Sequence, residues 1–185
     1  MLVVTLLAAP AAHADELQPT SNRNEPWVSV SATFGIATPL GEAGLELDAH
    51  LTDWLSVSAG VGLGASGPQL AAMPRLSMPI NKAARVYFGV GASEGRYTWN
   101  ELTFDEPAKK SWDRAYWLNG ELGFERRMAD GTSAWTTRVF AGVGKVLNDQ
   151  DFTCNDEHCM VDHQGDGASQ KYVGMSIGYA FANRP

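Results

Sequence analysis

The chain has few of the side chains that most catalytic and metal sites use, with two cysteines and four histidines in 185 residues. It carries 14 Lys and Arg against 21 Asp and Glu, for a formal net charge of −7, and no basic cluster interrupts that balance. Nucleic acid is therefore not an expected partner, and a polybasic membrane anchor is absent. After the first residues, no apolar run reaches the roughly 18 residues that a transmembrane helix needs. That excludes a helical membrane protein but leaves a membrane barrel open. No segment comparable in length to the alternating ones repeats its apolar residues at the helical period, so an all-β chain is expected.

The apolar N-terminus, MLVVTLLAAPAAHA, ends in small residues with Ala12 and Ala14 at the positions a signal peptidase accepts. Residues 1–14 are read as a signal peptide cleaved after Ala14, although a basic start is missing. Residues 15–26 then form an N-terminal extension, and residues 27–182 form one domain of a size that holds a core or a small barrel.

What the chain has in abundance is alternation. In WVSVSATFGIA, Val28, Val30, Ala32, Phe34 and Ile36 share one face, and Ser29, Ser31, Thr33 and Gly35 share the other. The same period runs through GLELDAHL, LSVSAGVGLGAS, RVYFGVGAS, AYWLNGELGFER, TTRVFAGVG and KYVGMSIGYAF. A weaker segment, MPRLSMPI, has Pro74 and Pro79 to cost it ladder donors. Counting it predicts eight strands. The connections after strands two, four and six hold turn formers (Thr52-Asp53, Asn81-Lys82, Asp130-Gly131) and are short. Those after strands three, five and seven are predicted to be longer, while the first, Thr38 to Ala43, is brief. Short turns at one end and long loops at the other predict an up-and-down antiparallel transmembrane barrel, with short periplasmic turns and longer extracellular loops.

A soluble barrel turns its apolar face inward and an outer-membrane barrel reverses it. Two features favour the second. Trp27, Trp54 and Trp135 fall at the short-turn ends of strands, whereas Trp99, Trp112, Trp117, Tyr97 and Tyr116 fall at or beyond the long-loop ends, which predicts two interfacial girdles. The non-apolar face is rich in Gly and Ser with isolated charges, namely Glu46, Asp48, His50, Arg75, Arg85, Glu121, Glu125 and Arg138. Such a face is a poor wall for an apolar ligand and suits a narrow interior filled by ion pairs. Eight strands leave an interior just wide enough for side chains, so no wide pore is expected.

In LTDWLSVSAGVG, NKAARVYFGVG and the closing KYVGMSIGYAF, the chain resembles the small outer-membrane barrels of the OmpA, OmpX and opacity-protein kind. The resemblance implies a porin-family eight-stranded barrel in the outer membrane of a Gram-negative bacterium, surrounded by outer-membrane lipid and inserted by the assembly machinery. It also implies that the aromatic ending the last strand, here Phe181, is the assembly signal, although four residues follow it. Too little chain follows strand eight for a peptidoglycan-binding domain, so tethering of the cell wall is not expected.

The segment CNDEHCMVDHQGDG gathers Cys154, Cys159, His158 and His163 with several acids. As zinc ligands the four have no standard spacing, and exported thiolates are usually oxidised. As a calcium loop, DHQGDG supplies Asp162, Asp166 and Gly167, but Gln164 replaces the second acid and Val173 stands where the bidentate Glu belongs. A disulfide between Cys154 and Cys159 is the leading expectation, closing a six-residue loop for about 2 kcal/mol. No metal or cofactor is expected. Catalysis would need a nucleophile, a base and an orienting carboxylate in mutual reach. His50 is placed at the periplasmic end, and His158, His163 and Ser169 lie in or beside a loop without a strand framework, so no enzyme is expected. The loop GRYTWNELTFDEPAKKSWDRAYW could bind an extracellular ligand, but extension of strands five and six accounts for the same residues. The expected function is a structural or surface-interaction role for a monomeric, non-catalytic barrel. The alternatives are a narrow channel and a lipid A-modifying enzyme.

Overall fold

The computed structural model describes residues 28–81, 83–100, 109–130, 133–154 and 169–181. Nine strands occur among them: β1 (Val28–Thr38), β2 (Gly41–His50), β3 (Leu55–Gly64), β4 (Gly67–Asn81), β5 (Ala84–Asn100), β6 (Lys109–Asp130), β7 (Ser133–Val146), β8 (Thr153–Cys154) and β9 (Ser169–Phe181). Each barrel strand pairs antiparallel with its neighbour. β9 joins β7 to β1, so β1–β7 and β9 close into an eight-stranded barrel with no free edge. β8 is a two-residue addition against the far end of β6, where Ser111 Oγ and Thr153 Oγ1 lie 2.9 Å apart. The predicted all-β, eight-stranded antiparallel barrel is the fold observed.

Alternation sets the two faces. Val30, Ile36, Leu45, Val61, Leu122, Val139 and Met175 are all exposed on the outer surface, Ile36 to 74%. Ser29, Ser31, Glu46, Asp48, Arg75, Glu121 and Arg138 are buried inside. The polarity of a water-soluble domain is inverted, as the period-two pattern and the polar lumen face require. On β7 the apolar outer positions run from Trp135 to Val143 and on β9 from Phe181 to Val173, nine residues in each (135 to 143 and 173 to 181). At about 3.3 Å per residue and a tilt of about 40°, such a run rises roughly 20–25 Å along the barrel axis, close to a bilayer's apolar height. Lys145 and Lys171 follow just beyond it, both exposed.

Several sequence expectations need correction. β4 begins at Gly67 rather than near Met73, and its pairing Gly64↔Gly67 leaves Ala65-Ser66 as a two-residue turn where a longer loop is predicted. The prolines mislead because only the partner strands reveal what they cost. Pro74 still pairs with Val57 of β3, and the ladder to β5 is interrupted between Ala72↔Ala92 and Arg75↔Gly89 and shifts register once more between Pro79 and Asn81. β5 and β6 run well past the band, pairing as far as Asn100↔Lys109, in keeping with strand extension. The upper girdle is corrected too. Trp112 and Trp117 are buried and pack with Ala115, Val146, Tyr97 and Phe152 instead of facing lipid. Trp117 faces inward by simple alternation with Asn119 and Glu121, and a register shift between Gly95 and Tyr97 brings Trp112 to the same side. Trp135, by contrast, is exposed and meets Tyr179 edge-on at 5.2 Å.

The connection between β1 and β2 does not stand clear of the barrel. Ala37 adopts φ 62° and Gly41 φ 81°, and the Thr38 hydroxyl donates to the Gly41 carbonyl, so the chain doubles back and drives Leu40 into the lumen. A left-handed alanine carries strain that the surrounding packing must hold. Glycines make the room. A Cβ on Gly60 would lie 2.9 Å from Leu40 Cδ1, and one on Gly62 would lie 2.0 Å from the Leu40 carbonyl oxygen.

Candidate functional site

Two regions of the interior hold polar side chains in a defined arrangement: an ion network across the middle and short-turn half, and a cup at the long-loop mouth. β2 contributes Glu46 and Asp48, two residues apart and therefore on the same inward face. β4 and β7 bring Arg75 and Arg138 to them from either side. Arg75 donates from Nη1 to Glu46 Oε1 and Asp48 Oδ1, both at 2.8 Å, and from Nη2 to Glu46 Oε2 at 3.0 Å and Glu121 Oε1 at 3.2 Å. Arg138 donates through Nη2 to Glu46, to Asp48 Oδ2 at 3.0 Å and to Ser31 Oγ at 2.9 Å, and through Nε to Ser176 Oγ at 2.9 Å. The Tyr87 hydroxyl donates to Glu121 at 2.9 Å, and its ring lies 5.3 Å below the Arg75 guanidinium. Charge-assisted bonds of this density fix the guanidinium planes.

Nearer the short turns, Glu125 accepts from Arg127 Nε at 2.7 Å and faces Arg85 Nε at 3.6 Å, while Arg127 Nη2 lies 3.1 Å from His50 Nε2. The network thus holds Glu46, Asp48, Glu121 and Glu125 against Arg75, Arg85, Arg127 and Arg138, four charges of each sign. Arg75, Arg85 and Arg138 are among the lumen charges expected from the sequence, and Arg127 joins them. Its signal was available, because Arg127 stands two residues beyond Glu125 on the same face. Alternation also places Tyr87 and Tyr172 on the polar face, without indicating what their rings meet. Tyr87, Phe140 and Tyr172 form one buried cluster, and glycines on adjacent strands seat their rings: a Cβ on Gly123 would fall 2.4 Å from the Tyr87 ring, and one on Gly174 2.4 Å from Phe140.

These fillings divide the lumen. Between Leu40 and the Arg75–Glu121 pair only about 20 Å³ stays open, bounded also by Met73 and Phe140. That is room for about one water. Above Leu40 the interior opens again into a cup of about 250 Å³ at the mouth, floored by the Thr38–Gly41 turn and walled by Tyr97, Trp117, Asn119, Gln170 and Tyr172. Tyr97 meets Trp117 edge-on at 4.7 Å and Trp112 at 5.4 Å. Tyr97 lies beyond the apolar band, and burial pushes its phenol above the ordinary value. Asn119 donates to Ser93 Oγ at 2.9 Å.

Phe181 ends β9 on the outer face, half exposed, with its ring 5.0 Å from Tyr179. Cys159, His158, His163, Asp162 and Asp166 lie outside the described residues, as do the Cys154 side chain, the signal peptide and Trp27. Among the described residues, no helix is long and apolar enough to cross a membrane, which says nothing of strands.

No protein-family model matches the chain, and no curated protein matches it. Among solved structures, the chain is similar to the crystal structure of the N-terminal β-barrel domain of Pseudomonas aeruginosa OprF, at 11% sequence identity, over 85% of this chain and 100% of that one, with a TM-score of 0.49.

Proposed function

We propose that the protein is a monomeric outer-membrane barrel of a Gram-negative bacterium, exported by a cleaved signal peptide, with a structural or surface-interaction role and no catalytic activity. One observation carries the reading: a continuous apolar outer band of bilayer height surrounds a lumen in which the charges pair with one another. In water such an outer surface would expose Ile36, Leu45, Val61, Leu122 and Met175 together, far more contiguous apolar area than a soluble monomer tolerates. In a bilayer it costs nothing. Outer-membrane lipid is then the surrounding medium, Phe181 the aromatic that assembly machinery reads, and the long-loop mouth the surface available to an extracellular ligand.

A transport role has less support, because Leu40 and the four-by-four ion network fill the lumen. An enzymatic role has less still, since His50 stands beside the Arg127 guanidinium at the short-turn end, where a base would have no substrate. Fractionation of cells combined with surface proteolysis and heat-modifiable gel migration tests the proposal. Recovery in the outer membrane, a migration shift on boiling and cleavage confined to the long loops are the expected results. A soluble periplasmic protein, or cleavage at the Thr52-Asp53 turn in intact cells, would overturn it.

A further inference from the structure

The cup at the barrel mouth is built for more than closure. Its floor is the strained Ala37 turn, its walls are strand residues, and its contents are mixed: three aromatic rings, Tyr97, Trp117 and Tyr172, beside three amides, Gln69, Asn119 and Gln170. Backbone strain concentrates where a structure holds a functional shape. Gly144 keeps one wall bare, for a Cβ there would lie 2.8 Å from Asn119 Oδ1 and 3.2 Å from the Trp117 ring. Among the described residues, neither Gln69 nor Gln170 has a side-chain hydrogen bond, so four amide donors and their two carbonyl oxygens are open to a guest.

The lining selects the guest by elimination. Among the described residues no Lys or Arg lines it and Glu42 does, so a phosphate or carboxylate ligand would meet repulsion from that wall without a counter-charge. An apolar guest would strip water from the amides and return no hydrogen bonds. What remains is an uncharged molecule that offers hydroxyls able to donate and accept, together with a C–H face for the rings. At about 250 Å³ the cup is below the roughly 300–1,000 Å³ of a drug-sized pocket, so it takes one ring and not a chain. We infer that the mouth cup binds a single neutral saccharide residue. The outward direction of the cup rests on the outer-membrane reading; the binding chemistry does not.

The test uses the full mature chain folded in detergent micelles, with saturation-transfer NMR. The probes are the methyl glycosides of glucose, galactose, mannose and N-acetylglucosamine, with tetramethylammonium chloride and inorganic phosphate as charged comparisons. Saturable transfer from at least one glycoside is expected, weakened about three- to tenfold by Gln170→Ala or Asn119→Ala, as loss of one hydrogen bond predicts, and abolished by Ala65→Trp at the rim. Gln170 holds no side-chain hydrogen bond among the described residues, so its variant should fold even if Asn119→Ala does not. Binding of tetramethylammonium or phosphate alone, no binding at all, or glycoside binding that all three variants leave unchanged would overturn the inference. If the protein fractionates with outer membrane yet binds no glycoside, this inference alone fails. Glycoside binding by a protein found soluble in the periplasm would sink the outer-membrane reading and leave the cup's chemistry standing.

Discussion

Replacing Arg138 by Met tests whether the lumen is held by the paired charges that its geometry describes. Arg138 is buried and binds Glu46, Asp48, Ser31 and Ser176. Methionine matches much of its aliphatic stem but supplies no charge, so Glu46 and Asp48 are left to share Arg75 while the balance inside shifts to four carboxylates against three guanidinium groups. Removing one partner of a buried ion pair costs about 3–5 kcal/mol, or roughly 10² to 10^3.5 in the folding equilibrium at tenfold per 1.4 kcal/mol. In urea, where small proteins lose about 1–3 kcal/mol per molar, the unfolding midpoint should fall by roughly 1–5 M. Reversible unfolding in lipid vesicles, followed by tryptophan fluorescence and by gel migration of unboiled samples, measures it. Arg138→Lys should lie between, retaining charge without the planar fork. The double variant Arg138→Met with Asp48→Leu removes the acid that loses most. It should recover at least about 1.5 kcal/mol relative to the sum of the single changes. A loss under about 1 kcal/mol for Arg138→Met, or strict additivity in the cycle, would refute the reasoning, because only a water-filled lumen screens a lost guanidinium so well.

Ile177→Arg places a charge near the middle of the apolar band on β9 and should destabilise the vesicle-embedded barrel by about 2–4 kcal/mol; the same urea titration reads it, and a neutral effect would argue that no lipid faces this position. Leu40→Ala empties the seat on Gly60 and Gly62 and should cost about 2–5 kcal/mol, whereas Gly62→Val should interfere with the turn itself and lower the folded fraction on gels. Planar bilayers with the native protein should show no steady conductance, and stepwise openings in Leu40→Ala alone would identify that side chain as the barrier. Mass analysis of the folded protein before and after alkylation should find Cys154 and Cys159 joined; two free thiols with bound zinc would reverse the ranking of that loop.

The period-two alternation was legible without a structure because it is local. Each residue's face follows from its neighbour's, so Val28 to Ile36 or Val173 to Phe181 declare an apolar side and a polar one whatever they later pair with. Strand number and closure into an antiparallel barrel followed from that period and from the turn residues. Register is not local. That Tyr87 lies over Gly123, Phe140 over Gly174 and Leu40 over Gly60 depends on which positions of different strands come abreast. From sequence those glycines look like an unfilled interior, when each is the seat of a neighbouring side chain. Trp112 is a second case: a shift between Gly95 and Tyr97 brings it from the outer face to the inner one, because one residue of slip reverses every side chain after it. The sequence by itself therefore determined the barrel and the acids and arginines that face its lumen. Only the tertiary structure decided how they pair, how Arg127 completes the balance, and that an inward turn separates the ion network from the cup above it, because those are contacts between strands far apart in the chain.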